Sequence, residues 1–170
     1  PGAAAERAGA DYAILGAPLD VSTTGQPGTR YGPREVRQAA ATFEDYDHRT
    51  GRSFSDLAVH DHGDVAPTDD TEEYLTYLEG LVREYRDERV VPLTVGGEHT
   101  VSVAVIRAVD PDVVVCLDAH LDLRESYAGN PLSHATATRH ALAVADEVVV
   151  VGARAGSEVE WERAGEDDVT

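Results

Sequence analysis

The chain has 170 residues, enough for one domain with its own core and too few for two. Its formal net charge is −18, from 32 Asp and Glu against 14 basic residues, every one of them Arg; a surface this acidic repels nucleic acid and anionic membranes and excludes both as partners. With no run near the ~20 apolar residues of a membrane span and no basic-then-apolar leader, the chain is expected to be soluble and cytoplasmic. Its carboxylates suit a salt-rich cytosol, in which screening shortens to about 3 Å at 1 M.

Residues 1–9 are Ala-rich without pattern and read as the frayed end of a single α/β domain spanning 1–170. Tyr12-Ala13-Ile14-Leu15-Gly16 reads as a buried strand halted by Gly16 and Pro18. The polar loop from Asp20 to Gly32 lacks both the Gly-Lys-Ser/Thr ending of a P-loop and the spaced glycines of a dinucleotide fingerprint, so it is a shaped loop rather than a phosphate cradle. Pro33 suits the first position of a helix running to Phe43, with Val36, Ala39, Ala40 and Phe43 on one face. Residues 44–55 look irregular.

Leu57-Ala58-Val59 reads as a short strand leading into His60-Asp61-His62-Gly63-Asp64. Four potential ligands in five residues invite a metal site, but no helical frame holds both imidazoles, and a turn of solvated polar residues is the simpler expectation. Thr68, Asp69 or Asp70 caps a helix to about Glu88, whose stripe Tyr74, Leu75, Leu78, Leu81, Val82 and Tyr85 is core packing. A strand over Val90–Val95 ends in Gly96-Gly97-Glu98-His99, followed by a helix to Val109. Val113-Val114-Val115-Cys116-Leu117 then reads as a strand buried on both faces. Cys116 is the only cysteine, which excludes an internal disulfide, and inside an apolar run it reads as a small hydrophobe. After a loop over 123–132, Ser133 caps a helix to about Ala145. Glu147–Val151 is a further strand, and the polar tail to Thr170 has no assigned structure.

Strands alternating with helices imply βαβ units and a mainly parallel sheet covered on both faces. Ligands of such sheets bind beyond the carboxyl ends of the strands. Asp118, His120 and Asp122 follow one strand at alternate positions, which points them roughly to one side. His99 follows the preceding strand, and sequential strands are expected to be neighbours. Two carboxylates and two imidazoles without thiolate favour Mn²⁺, Fe²⁺, Co²⁺ or Zn²⁺. They suit one octahedral site, or two cations bridged by a carboxylate about 3.5–4 Å apart; a single structural ion without chemistry is the competing reading.

Gly96-Gly97-Glu98-His99-Thr100 and Asp118-Ala119-His120-Leu121-Asp122 resemble the paired signatures of the ureohydrolases, the arginase and agmatinase family of binuclear manganese enzymes. Gly16-Ala17-Pro18-Leu19-Asp20, with Gly25-Gln26-Pro27-Gly28-Thr29-Arg30-Tyr31-Gly32-Pro33, is similar to the amino-terminal loop of the agmatinase branch. Leu132-Ser133-His134-Ala135-Thr136 and Val151-Gly152-Ala153-Arg154 resemble later segments of that family, so the likeness runs from Asp11 to Arg154.

The resemblance implies a three-layer α-β-α fold and two Mn²⁺ ions, with His99 and Asp122 holding one, His120 the other, and Asp118 bridging. It implies that His134 shuttles a proton or contacts the substrate. His48, His60, His62 and His140 match no ligand position, and Glu98 stands where many members have Asp. The implied reaction is hydrolysis of a small cationic guanidinium substrate by a hydroxide bridging the two ions, with agmatine giving putrescine and urea; arginase, guanidinobutyrase and formimidoylglutamase activities remain open. The family suggests homo-oligomers, trimers or hexamers.

Family members continue into a Ser-x-Asp-x-Asp-x-x-Asp-Pro motif, whose first two aspartates complete both metal sites, and a later glutamate. Nothing over 152–170 matches these. The expectation is therefore the amino-terminal and central part of a ureohydrolase domain, its carboxy-terminal part missing and this piece alone weak or inactive. The alternative is a non-catalytic truncated relative that binds one cation and acts as an interaction subunit.

Overall fold

The computed structural model describes residues 2–170. In chain order its elements are β1 (Tyr12–Ala17), α1 (Gly32–Ala40), β2 (Tyr46–Asp47), β3 (Arg52–Ser53), β4 (Val59–Asp64), α2 (Thr71–Asp87), β5 (Val91–Gly96), α3 (Val101–Val109), β6 (Val113–Leu117), α4 (Ala137–Ala141), β7 (Glu147–Val151) and α5 (Glu158–Arg163). β1 is the centre of a three-stranded sheet, paired in parallel with β4 on one side and β5 on the other. β6 and β7 form a separate parallel pair.

Alternation along β1 decides what lies on each face. Ala13, Leu15 and Ala17 are fully buried and pack with the apolar faces of α2 and α3. Gly16 points the other way, where a side chain would collide with Asp64 and Arg37, and so α1, which carries Arg37, lies on the opposite face. The result is a three-layer α/β architecture. α2 begins at Asp70, whose carboxylate accepts the amides of Glu72 and Glu73. Its six-residue stripe from Tyr74 to Tyr85 is buried throughout; at about 1.5–3 kcal/mol for each large apolar side chain, this is the main stabilising contact of the first sheet.

Several expectations give way. His60 to Asp64 is not a turn but the body of β4. An edge strand tolerates polar side chains when each finds a partner, and here Arg37 takes Asp61 in a bidentate pair, both bonds 2.8 Å, and also binds Asp64. The helix expected to Phe43 ends at Ala40, with Val36 and Phe43 exposed, because α1 turns Arg37 rather than its apolar stripe toward the sheet. Residues 44–55 hold the short antiparallel β2–β3 hairpin. The helix expected over 133–145 is broken: a 3₁₀ turn, His134–Thr136, precedes the five-residue α4, as Thr136 Oγ1 bonds the carbonyls of Pro131 and Ser133.

The stretch read from composition as a loose terminus makes specific contacts: the Ala5 amide donates to Val59 O at 3.0 Å and Arg7 pairs with Glu84 and Glu88. The polar tail forms α5 and then returns to β7 through a parallel bridge between Val169 and Val148. β5 and β6 are not neighbours, since they belong to different sheets. They instead flank a groove of about 340 Å³, and β6 is not buried on both faces, with Leu117 82% exposed. Among the described residues no helix is long and apolar enough to cross a membrane.

Candidate metal centre

His99 is delivered by the turn between β5 and α3, and Gly97 makes that turn possible. Its φ is 25°, and a Cβ there would lie 2.5 Å from Ala17 O and 2.7 Å from Leu19 N; only glycine fits both the conformation and the approach. The Glu98 amide donates to Leu19 O at 2.9 Å. The Glu98 carboxylate is buried and accepts from Ser22 N–H and Oγ–H, at 3.2 and 2.6 Å, and from Thr23 Oγ1 at 3.0 Å. Asp20, also buried, accepts from the Gly28 amide and Arg30 Nε, both at 2.8 Å, and the Arg30 hydrogen bond holds its carboxyl below the ordinary value against the effect of burial. The loop over 20–32 is thus shaped by two buried acids and fastened to the turn that carries His99. Sequence reasoning singled out neither acid for this role, although an acid between glycine and histidine at a strand end was the signal for Glu98.

Asp118 and Asp122 follow β6. His99 Nδ1 lies 2.8 Å from Asp122 Oδ2 and 3.7 Å from Asp118 Oδ2. Ligand atoms of the three residues all lie within 4.8 Å of one another, the one such group of three donors among the described residues. The hydrogen bond that the Asp122 carboxylate accepts from the ring raises the His99 imidazole above its ordinary value, against burial. At Asp118 burial works upward, but the His120 amide and the His99 and His120 rings outweigh it and hold the carboxyl below its usual value. Asp122 itself has φ 51°, the left-handed region that costs a non-glycine residue about 1–3 kcal/mol unless neighbouring contacts hold it.

His120 lies outside the triad. Its side chain is 67% exposed, with Nδ1 3.6 Å from Asp118 Oδ1. His134 opens the 3₁₀ turn before α4, with Nδ1 3.3 Å from Ser133 Oγ and its ring 5.8 Å from that of Tyr127. All five residues singled out from the sequence line one cleft of about 440 Å³, to which the structure adds Arg124, Tyr127 and Glu160. His60 and His62 are elsewhere: His60 Nδ1 bonds Ala5 O and His62 Nδ1 bonds Tyr85 Oη. Cys116 is half-buried, and burial pushes its thiol up, away from a thiolate ligand.

One imidazole and two carboxylates, gathered without a neutralising arginine on either acid, make a mixed nitrogen and oxygen donor set that fits Mn²⁺ or a similar divalent ion. A cation there would offset the repulsion between the acids. The cleft lies past the carboxyl ends of β5 and β6, and His134 lines it together with the triad.

The arginase family model matches residues 10–170. The chain is 35% identical over 153 residues to an agmatinase of Pyrococcus horikoshii, covering 89% of this chain and 54% of that one. It is 36% identical over 155 residues to a guanidinobutyrase of Pseudomonas aeruginosa, covering 85% and 49%. The solved agmatine ureohydrolase of Thermoplasma volcanium matches with a TM-score of 0.92 and 31% identity over 99% of this chain and 59% of that one. The chain spans about half the length of these relatives.

Proposed function

The chain belongs to the arginase family, and on that premise we propose that it supplies four of the metal ligands of a hydrolase acting on a guanidinium group, with agmatine as substrate and urea and putrescine as products. The observation that carries this reading is the convergence of His99, Asp118 and Asp122 from the ends of β5 and β6, strands of separate sheets, onto one cleft.

In this proposal His99 and Asp122 would hold one Mn²⁺, Asp118 would contribute to both ions, and His120, exposed beside Asp118, would be a ligand of the second. The bound ions supply the Lewis acidity that makes water nucleophilic near neutral pH. Water adds to the guanidinium carbon, the bond from that carbon to the alkylated nitrogen breaks, and urea leaves along with an amine that takes up a proton. His134 stands in the same cleft as the group that passes this proton. A cationic substrate is drawn by the surrounding carboxylates, while Arg124 is held 3.2 Å from Glu160 Oε2, so its charge is offset rather than turned on the substrate. Assembly into a homo-oligomer, trimeric or hexameric, and a cytoplasmic setting belong to the same proposal.

The test is urea release by the natural protein loaded with Mn²⁺, compared across agmatine, 4-guanidinobutyrate and arginine, with formamide release from formimidoylglutamate as a fourth arm. The highest kcat/KM is expected on agmatine. A higher value on 4-guanidinobutyrate reassigns the substrate, and no product from any of the four overturns the reaction. The second reading, a subunit that binds one cation and acts through association, draws on His120 lying outside the triad. It predicts one Mn²⁺ per chain and no turnover.

A further inference from the structure

Glu160, on the first turn of α5, is only 4% exposed, and both of its oxygens are committed. Oε2 accepts from the Ser157 amide at 2.8 Å and hydroxyl at 2.7 Å, ordinary contacts at a helix start. The remaining contacts are of another kind. Oε1 accepts the Leu123 amide at 3.2 Å, across 37 residues, and Oε2 lies 3.2 Å from Arg124 Nε. Both reach the two residues that follow Asp122.

Asp122 is the residue at which the chain leaves ordinary backbone geometry, with φ 51°. A left-handed aspartate carries backbone strain that hydrogen bonds to the neighbouring peptides offset. The hydrogen bonds around it are the Leu121 amide to Ala155 O at 3.1 Å, one peptide upstream, and, on the peptide that follows Asp122, the Arg139 amide to Asp122 O at 3.2 Å and the Leu123 amide to Glu160. The first two run between backbone groups, and the third hangs on one side chain. If the Leu123 peptide turns, the Asp122 carboxylate turns with it and leaves His99 Nδ1, now 2.8 Å away. A buried carboxylate is an expensive way to start a six-residue helix. Its charge answers Arg124, and its second oxygen fixes the peptide next to the triad.

We infer that Glu160 is a positioning residue of the metal centre, setting the direction in which Asp122 presents its carboxylate to His99 and to a bound cation. The inference rests on the proposed function in taking the triad as the cation site. Glu160 is not itself a ligand, because its oxygens face Leu123, Arg124 and Ser157.

Two substitutions in the natural full-length protein separate this role from helix stability. Glu160→Gln keeps the shape but has one oxygen for donors that now occupy two. It is expected to weaken Mn²⁺ binding, measured calorimetrically, by about 10–100-fold, and in the metal-free protein to shift or broaden the His99 Nδ1–H signal in ¹H–¹⁵N spectra. Ser157→Ala removes one hydroxyl donor from Glu160 Oε2 and leaves Oε1 with its Leu123 contact; it is expected to lower the thermal midpoint while Mn²⁺ affinity and the His99 signal change far less than in Glu160→Gln. The inference fails if Glu160→Gln leaves both readouts unchanged, or if Ser157→Ala disturbs both as strongly. Should the unsubstituted protein bind no Mn²⁺, the proposed function falls, and the His99 signal still decides the role of Glu160.

Discussion

His99 and Asp122 lie 2.8 Å apart, Nδ1 to Oδ2, although the strands that deliver them belong to different sheets. The contact joins the two halves of the sheet system at the mouth of the cleft. Asp122→Asn keeps the volume and removes the charge. Mn²⁺ affinity is expected to fall by more than the roughly 10–100-fold typical of outer-shell partners, and the His99 imidazole of the metal-free protein to drop toward its ordinary 6.5. Calorimetric Mn²⁺ titration and an NMR pH titration of the His99 ring measure the two effects.

Gly97 is where the turn that carries His99 touches the loop after β1. Gly97→Ala puts a Cβ 2.5 Å from Ala17 O at a φ of 25°, combining overpacking with backbone strain. A loss of about 2–4 kcal/mol in denaturant unfolding is expected, together with weaker Mn²⁺ binding. Gly129 has a φ of 81° with nothing near its missing Cβ; Gly129→Ala there isolates the strain alone and is expected to cost less.

Acid should weaken the contact between α1 and β4 in a defined window. The Arg37 guanidinium holds Asp61 below the ordinary 3.8, with burial opposing it. A depressed carboxyl adds stability that is fully present above the unfolded value and is lost as pH falls through the lower folded one. Arg37→Met is therefore expected to cost about 1–2 kcal/mol above pH 5, and the difference from wild type to shrink as pH falls below about 3.8. Urea unfolding of both proteins across this range measures it.

Net charge sets a further expectation. At −18 the chain repels itself, and raising KCl from 0.1 M to 1 M shortens screening from about 10 Å to about 3 Å. The thermal midpoint is expected to rise. Scanning calorimetry across the series checks this, and a fall would mean that surface ion pairs such as Arg7 with Glu88, at 2.7 Å, outweigh the repulsion.

Periodicity and local chemistry made most elements legible. The stripe of α2, the cap at Asp70, the strand before Gly96 and the cluster after Leu117 are features of neighbouring residues, and a chain displays those directly. The reading went astray where a distant partner decided the outcome. His60 to Asp64 looked like a turn because nothing in that stretch discloses that Arg37, 24 residues earlier in sequence, will neutralise its acids. The roles of Glu98 and Glu160 were hidden for the same reason, since a buried acid is identified by the donors that fold around it.

By itself the sequence determined the donor chemistry, two carboxylates and two imidazoles at strand ends, and the alternation of strands and helices. Both follow from residue type and spacing along the chain. Only the tertiary structure decided that β5 and β6 stand in separate sheets with a groove between them, that His99, Asp118 and Asp122 meet while His120 stays outside, and that Glu160 accepts the Leu123 amide next to Asp122. These are long-range relationships. They depend on which of many compatible strand pairings and helix packings buries the most apolar surface with every buried polar group answered, a property of the whole chain rather than of any stretch.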